Sequence, residues 1–592
     1  NRFDHNHLDG KRNRGVTMAV RLDTKASQEN YHQIDHNYFG PRPVLGSNGG
    51  ETLRIGTSHY SLTNSYTRVE NNYFDRCNGE VEIVSVKSGN NLVRGNVFFE
   101  SQGTLTLRHG NDNVVEENIF LGNGVAHTGG IRVINKRQTI RNNYLEGLTG
   151  YRFGGGLVVM NGVPDSPINR YHQVEEALIE NNTLVNVDHI QLAAGSDAER
   201  SAKPIDSDFR HNLIFHEEGR DTFTLYDDVS GIRFHNNLLH KVSEPSLSEG
   251  FASHEVDTRR GANGLLYPVA EEFAGVGASR DLKVLDRSQT GAPWYPKRGS
   301  AITFDSGKTI KVDPAPGALE DAVNQAQPGD ILHLAGGDYL VSKILVVDKP
   351  LTVRGDKNVQ IRFERSTLFE IADGGSLQLI GLAVSGESAP DMVGNSVIRS
   401  SRYSMLVNYQ VKVIDSRFSD LDVNRFFDFM SVSKSTMADS IDIIDSSFSD
   451  VSGAILRLDR ERDDFGIFNA DYVRVTDSTF SNIQGALVEL YRGGTDESTF
   501  GPHFALTGST LNDVGNGSKN KSAASVHLHG VQVANLAGNT FRDSAPVRVF
   551  HTVAEPITRI TGNEFIGTQP PVVTELNSEL ENTAVIDNNT VR

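Results

Sequence analysis

Cysteine is almost absent: Cys77 is the only one in 592 residues, so no internal disulfide can hold this chain together. A lone cysteine reads as a small buried residue rather than a nucleophile. Long apolar runs are also missing, and no stretch approaches the roughly 20 residues that span a bilayer. Nothing at the start resembles a signal peptide. Positive charge is in deficit, with 57 Lys and Arg against 75 Asp and Glu, a net charge of −18. That balance argues against non-specific nucleic-acid binding, which needs a basic face. A polyanionic substrate stays open, because local clusters can oppose the net sign. The 19 histidines show no tight metal-ligand spacing, so a zinc site is not expected. At this length one core is insufficient and two domains are expected.

What is present is a repeat. The hexapeptide apolar-x-x-Asn-x-apolar runs through the first half, from Ile34 to Phe39, Val69 to Phe74, Val93 to Phe98 and Val115 to Phe120. It returns at Ile140, Ile179, Phe209 and Phe234. Its asparagines, Asn37, Asn72, Asn96, Asn118, Asn143, Asn182, Asn212 and Asn237, are spaced by 35, 24, 22, 25, 39, 30 and 25 residues. A period in the low twenties, stretched by insertions, is that of a solenoid coil with loops at its corners. Asparagine suits the turn, since it tolerates left-handed backbone and its amide can bond neighbouring backbone or stacked asparagines. Leucine-rich repeats would be denser in leucine, and propeller blades longer and more regular. The opening segment, Asn1 to Leu8, already reads as the middle of a repeat, so an N-terminal segment with any export signal is expected upstream.

The second half repeats the theme with serine replacing some asparagines: Ser416, Ser446, Ser478, Ser509, Asn539, Asn563 and Asn589. It has its own opening, where Leu319, Ala322, Val323 and Ala326 follow helical spacing. Pro328-Gly329-Asp330 ends that helix and Ile331 to Leu334 begins a strand, so the helix would cover an exposed sheet end. The aspartates Asp415, Asp445 and Asp477 recur as turn formers. Residues from about 245 to 305 lose the repeat and contain the only tryptophan, Trp294. The expectation is an all-β chain of two right-handed parallel β-helices in tandem, over 1–290 and 308–592. The stretch from about 245 to 305 would pack between them, with 291–307 as the connector.

The most informative segment is Asn78-Gly79-Glu80-Val81-Glu82-Ile83-Val84-Ser85-Val86-Lys87. On a strand Glu80 and Glu82 share one face. Two close carboxylates repel unless a cation lies between them, and oxygen-only ligands favour Ca2+. Asn48 lies 34 residues before Glu82, Arg108 lies 26 after it, and Arg132 lies 24 after Arg108. Those gaps approximate one coil each, so Asn48, Glu82, Arg108 and Arg132 are expected in one column, with Arg54 and Lys87 beside it.

The ordered set Asn48-Gly-Gly-Glu51, Gly79-Glu-Val-Glu82 with Lys87 five residues on, then Leu107-Arg-His109, resembles polysaccharide lyase family six. That family contains alginate lyases and the chondroitin (dermatan-sulfate) lyase B type. The resemblance covers roughly residues 1–290, while the second solenoid resembles the extra β-helix of two-domain, exo-acting alginate lyases. It implies Ca2+ held by Asn48, Glu80 and Glu82, Lys87 as base and Arg108 at the leaving oxygen. A lysine of ordinary pKa near 10.4 is a poor base, so neighbouring cations are expected to lower it. A guanidinium does not readily surrender a proton, so Arg108 would stabilise charge or relay through water. Arg54, His109 and Arg132 would bind uronate carboxylates, for which arginine's fork is suited, and Tyr226 could stack a sugar ring.

The resulting expectation is β-elimination of alginate, exo-acting with guluronate preference, by a secreted or periplasmic enzyme without a membrane or nucleic-acid partner. A dimer through the solenoid sides is compatible with it. Three rivals use the same fold: dermatan-sulfate elimination, polygalacturonase-like hydrolysis with paired acids, and a non-catalytic, tailspike-like binding protein.

Overall fold

The computed structural model describes every residue except 46–47, 298–301, 464, 496–500, 553–555 and 577–582. Two compact units divide at residues 298/299. Each is a parallel β-helix of three sheets. Among the described residues the helix sheets of the first unit have nine, ten and eight strands, beside a two-stranded antiparallel sheet, and those of the second eleven, ten and nine. Successive strands of any one sheet are one coil apart in sequence, as in Val69↔Val93↔Val115↔Ile140. Both faces of the coil wall carry information, because side chains alternate inward and outward.

The asparagines of the first half form a continuous ladder at the turn between the first and second sheets. Asn118 is fully buried. Its Oδ1 accepts from the backbone N–H of Asn96 at 3.1 Å. Its Nδ2 donates to Val93 O, Glu116 O and Asn143 Oδ1 at 2.9–3.0 Å. The ladder starts at Asn6, which bonds Asn37 Oδ1. The left-handed residue of each turn is the one before the ladder asparagine: His36, Asn71, Gly95, Glu117 and Asn142 have φ between 53° and 63°. The asparagine itself is selected for its amide. Inside the turn, Phe39, Phe74, Phe98 and Phe120 stack face to face with centroids 4.4–4.8 Å apart.

In the second unit Ser416, Ser446, Ser478 and Ser509 perform the same task with a hydroxyl. Each accepts the backbone N–H of the preceding coil's ladder residue, or of Leu382 in the case of Ser416, at 3.1–3.2 Å. Asp415, Asp445 and Asp477 hold the left-handed turn position, at φ 46–48°. The helix Ala318–Gln325 precedes strand Ile331–Leu334. Its Leu319, Ala322 and Val323 join the second unit's core.

Residues 251–297 belong to the first unit. Strand Phe251–His254 adds to the second sheet beside Asn237–His240, and the chain then returns along that sheet's outer face. Gly277 N donates to His211 O, Leu266 N to Tyr144 Oη, and Gly291 N to His36 O, at 2.7–3.0 Å. Tyr38, Tyr73, Val97, Ile119 and Tyr144 point outward and are buried beneath this strap by Leu265, Tyr267 and Leu282. Trp294 is 81% exposed.

Removing a ladder amide strands several buried backbone groups, each costing about 1–3 kcal/mol. Asn118→Ala is therefore expected to lower unfolding stability by about 3 kcal/mol or more, and Asn6→Ala, half-buried at the ladder's end, by about 1 kcal/mol. Chemical denaturation of the two variants measures this. Equal losses would show that the ladder is not the source.

Candidate active site

The site lies on the third sheet of the first unit, on strands Leu53–Gly56, Glu82–Lys87, Gly103–His109 and Thr128–Val133. Leu53, Val84, Leu105 and Ile131 align inward in the core. The outward column in strict register is Arg54, Ser85, Thr106 and Arg132. This corrects the column expected from spacing: Glu82 is level with Thr104, and Arg108 lies beyond Thr106. Coils differ in length through bulges, so equal spacing does not give equal register.

Those irregularities assemble the cluster. Under strict alternation Glu82 and Lys87, five residues apart, would point to opposite faces. The register slips between Glu82 and Val84 against Thr104 and Leu105, and both Ile83 and Val84 enter the core. The extra residue returns Ser85 and Lys87 to the face of Glu82, the usual effect of a bulge. A second slip, between Thr106 and His109, sets His109 level with Lys87.

Glu82 is buried. The Ser85 hydroxyl and Arg132 Nη2 both donate to its carboxylate, and Arg108 Nε lies 3.9 Å from it. Burial pushes the carboxyl up, but Arg132, Lys87, Arg108 and Ser85 outweigh it and hold it down at about 2. Glu80 goes the other way. Burial and the charges of Glu51 and Glu82 raise it well above the usual carboxylate range, against the Gly50 N–H at 2.8 Å and Lys87. The Gly50 turn can approach this closely only without a side chain, since a Cβ there would lie 2.3 Å from Gly79 O.

Glu51 is a residue to which sequence reasoning gave no role. Its Oε1 lies 3.5 Å from Arg54 Nη1 and 3.6 Å from Lys87 Nζ, and its Oε2 is buried without a hydrogen bond. Its i, i+3 spacing to Arg54 was the available signal. Tyr171 was missed as well, and its ring lies 3.9 Å beneath the Arg108 guanidinium. It sits in an insertion between coils, where no periodicity reports position. Arg54, Lys87 and Arg108 keep 15–23% of their side chains exposed. Arg132 and His109 are fully buried and form the floor. Asn48 is exposed, and its carbonyl accepts from Arg14 Nε at 3.0 Å. Tyr226 stands apart from this cluster. Its hydroxyl lies 3.0 Å from the Gln191 amide, three coils beyond Arg132, roughly 15 Å at the ~4.8 Å strand spacing. Among the described residues no three His, Cys, Asp or Glu gather closely enough to hold a metal by themselves.

Partly exposed amine and guanidinium groups above a buried carboxylate, on the wall of a β-helix, suit a ligand that carries negative charge. The comparisons agree with that class. The Chondroitinase B family model matches residues 1–278. The structure of the PL6 family alginate lyase AlyGC is 56% identical, with a TM-score of 0.93, over 100% of this chain and 82% of that one. An arginine-to-alanine variant of AlyGC gives 55% and 0.94 over the same shares. The search of curated proteins finds no match. The chain belongs to polysaccharide lyase family 6, and it is a polysaccharide lyase.

His109 supplies a test of the site's electrostatics. Burial, then Arg108 and Lys87, lower its pKa to about 2 from an ordinary 6.5. The unfolded chain therefore takes up a proton below pH 6.5 that the folded chain refuses, and stability is lost as pH falls through that value. In His109→Gln the decline in urea midpoint between pH 7 and pH 5 should be shallower than in the wild type. An unchanged decline would assign it to other groups.

Proposed function

We propose that this enzyme is an alginate lyase, cleaving the 1,4-glycosidic bond next to a uronate by β-elimination and leaving a 4,5-unsaturated uronate. The observation that carries the proposal is a single amine, Lys87, partly exposed beside Arg108 and Arg54 over the buried Glu82. Its kinship with AlyGC, described as an alginate lyase, supports the choice of polymer.

Elimination needs the uronate carboxylate neutralised, the C5 proton removed and the O4 leaving group stabilised. Arg54, with a planar fork at the open face, pairs with a substrate carboxylate. Lys87 Nζ takes the C5 proton. The C5–H electron pair becomes the C4=C5 bond as the C4–O4 bond breaks. Arg108, held over Tyr171, offsets the charge developing on O4. Arg132 acts through Glu82, as its buried counter-ion, and His109 supports the floor as a neutral ring. Tyr226 faces sugars further along the groove.

Asn48, Glu80 and Glu82 would hold Ca2+. The fit rests on the crowding of negative charge around Glu80 and on the oxygen-only donor set. When bound, the ion would supply Lewis-acid neutralisation of the substrate carboxylate. The mode is read as exo-acting from the resemblance of the second β-helix to that of two-domain exo-acting enzymes, and the guluronate preference from the family resemblance alone. The proposed polymeric substrate supports action outside the cytoplasm, by a secreted or periplasmic enzyme. Among the described residues no helix is long and apolar enough to cross a membrane.

Incubation with alginate should produce ultraviolet absorbance from the new double bond, reduced by a chelator and restored by calcium. Dermatan sulfate is the comparison substrate, prompted by the Chondroitinase B match, and signal from it alone would replace alginate as the substrate. Lys87→Ala should lower kcat at least about 100-fold, the scale of general-base catalysis, with an unchanged circular dichroism spectrum. Near-normal turnover would remove Lys87 from the mechanism. Products that are long and mixed from the outset would contradict exo cleavage.

A further inference from the structure

The second β-helix carries a cavity of about 1090 Å³ on its own third sheet. In each coil this sheet follows the serine ladder as the catalytic sheet follows the asparagine ladder. Its outward column is Arg399, Ser431, Arg457, Glu489, His527 and Arg548. Among the charged side chains lining the cavity, six are Lys or Arg and three are Asp or Glu. That reverses the balance of the whole chain, with 57 Lys and Arg against 75 acids.

The floor is internally paired. Arg457 donates to both oxygens of Asp428 at 2.7 and 2.9 Å. Glu489 accepts from Ser522 and faces His527 Nδ1, both at 2.6 Å. The rim is not. Arg425, Arg460, Lys519 and Lys521 are exposed and have no ion-pair partner among the described residues. The loops presenting them are pinned: Asn520 Nδ2 donates to Gly515 O and Ala524 O at 2.8 Å, and Asn424 Nδ2 to Met392 O at 2.9 Å. Asp459, 6% exposed, lines the cavity with an Oδ1 that has no hydrogen bond. Phe426, 40% exposed, offers a ring at the edge.

We infer that this cavity is a second, non-catalytic binding site for an acidic oligosaccharide. Rim cations would pair with its carboxylates, the free Asp459 oxygen would accept from a sugar hydroxyl, and Phe426 would pack on a ring face. A buried acceptor carboxylate suits a ligand bearing hydroxyl donors and disfavours a phosphodiester, which offers acceptors alone on its backbone. The choice of a uronate ligand rests on the proposed function. The arrangement lacks the Glu-x-Glu pair and adjacent lysine of the catalytic sheet, so binding without cleavage is assigned.

The test uses the full chain carrying Lys87→Ala, titrated calorimetrically with an alginate hexasaccharide. Two sites per chain are expected, falling to one when Arg425, Arg460, Lys519 and Lys521 are all changed to Ala. Retention on an alginate gel should fall about tenfold or more, as when one of two linked sites is lost. With Lys87 intact, the same four changes should leave kcat on short oligosaccharides unaltered. Circular dichroism checks the fold, and Arg460→Gln with Lys519→Gln gives a milder variant expected to weaken the second site alone. A single site in the parent, or two sites surviving all four changes, would overturn the inference. The readout is binding, so failure of wild-type enzyme to form unsaturated products would refute the lyase reading without deciding this one.

Discussion

Everything in the first unit hangs on one coil lying squarely upon the next. Parallel backbone hydrogen bonds fix the spacing, and the buried asparagine ladder fixes the turn, so each coil enters the stack at one angle. Because an amide both accepts and donates, each asparagine completes the turn before it and the turn after it. A hydroxyl can accept the same N–H but closes fewer bonds, and the second unit uses it for four successive coils. The corners between ladders are then free to grow insertions at little thermodynamic cost, since loop closure varies slowly with length. Those insertions are where Tyr171 and the rim cations of the second unit arise.

On this regular wall the cluster proposed as the active site is a controlled irregularity. Two slips of register turn Glu82, Ser85, Lys87, Arg108 and His109 onto one face. The consequence is a dense set of charges that would be expensive to bury singly. Glu82 and Arg132 are tolerable together, whereas either one alone would leave an uncompensated buried charge. Glu80, crowded by Glu51 and Glu82, carries the opposite imbalance. Neighbouring carboxylates whose tendencies are pushed apart mark a site built for chemistry rather than for stability.

The solenoid was readable from the sequence because coil repetition leaves a period that insertions stretch but do not erase. The capping helix was readable from the spacing of Leu319, Ala322 and Val323. The neighbourhood of Glu82 was readable in part, since Glu80 and Lys87 share its segment and Arg108 and Arg132 follow at coil-like gaps of 26 and 24 residues. It was not readable in geometry, because a bulge changes facing without changing composition. Glu51 was hidden by its ordinary appearance after a Gly-Gly turn. The strap over 251–297 was hidden too, as it packs by fitting outward Tyr and Val side chains and has no repeat of its own. The left-handed turn residue proved to be the neighbour of the conspicuous asparagine, a distinction that only backbone angles reveal.

The central claim is that these residues break the chain by elimination and not by adding water. Digesting alginate in water enriched in heavy oxygen, with mass spectrometry of the first products, tests it most directly. The account predicts fragments that carry no heavy oxygen at the cleaved bond, and a new non-reducing end lighter by one water than a hydrolytic product. Heavy oxygen built into the products at cleavage, with saturated ends, would contradict it.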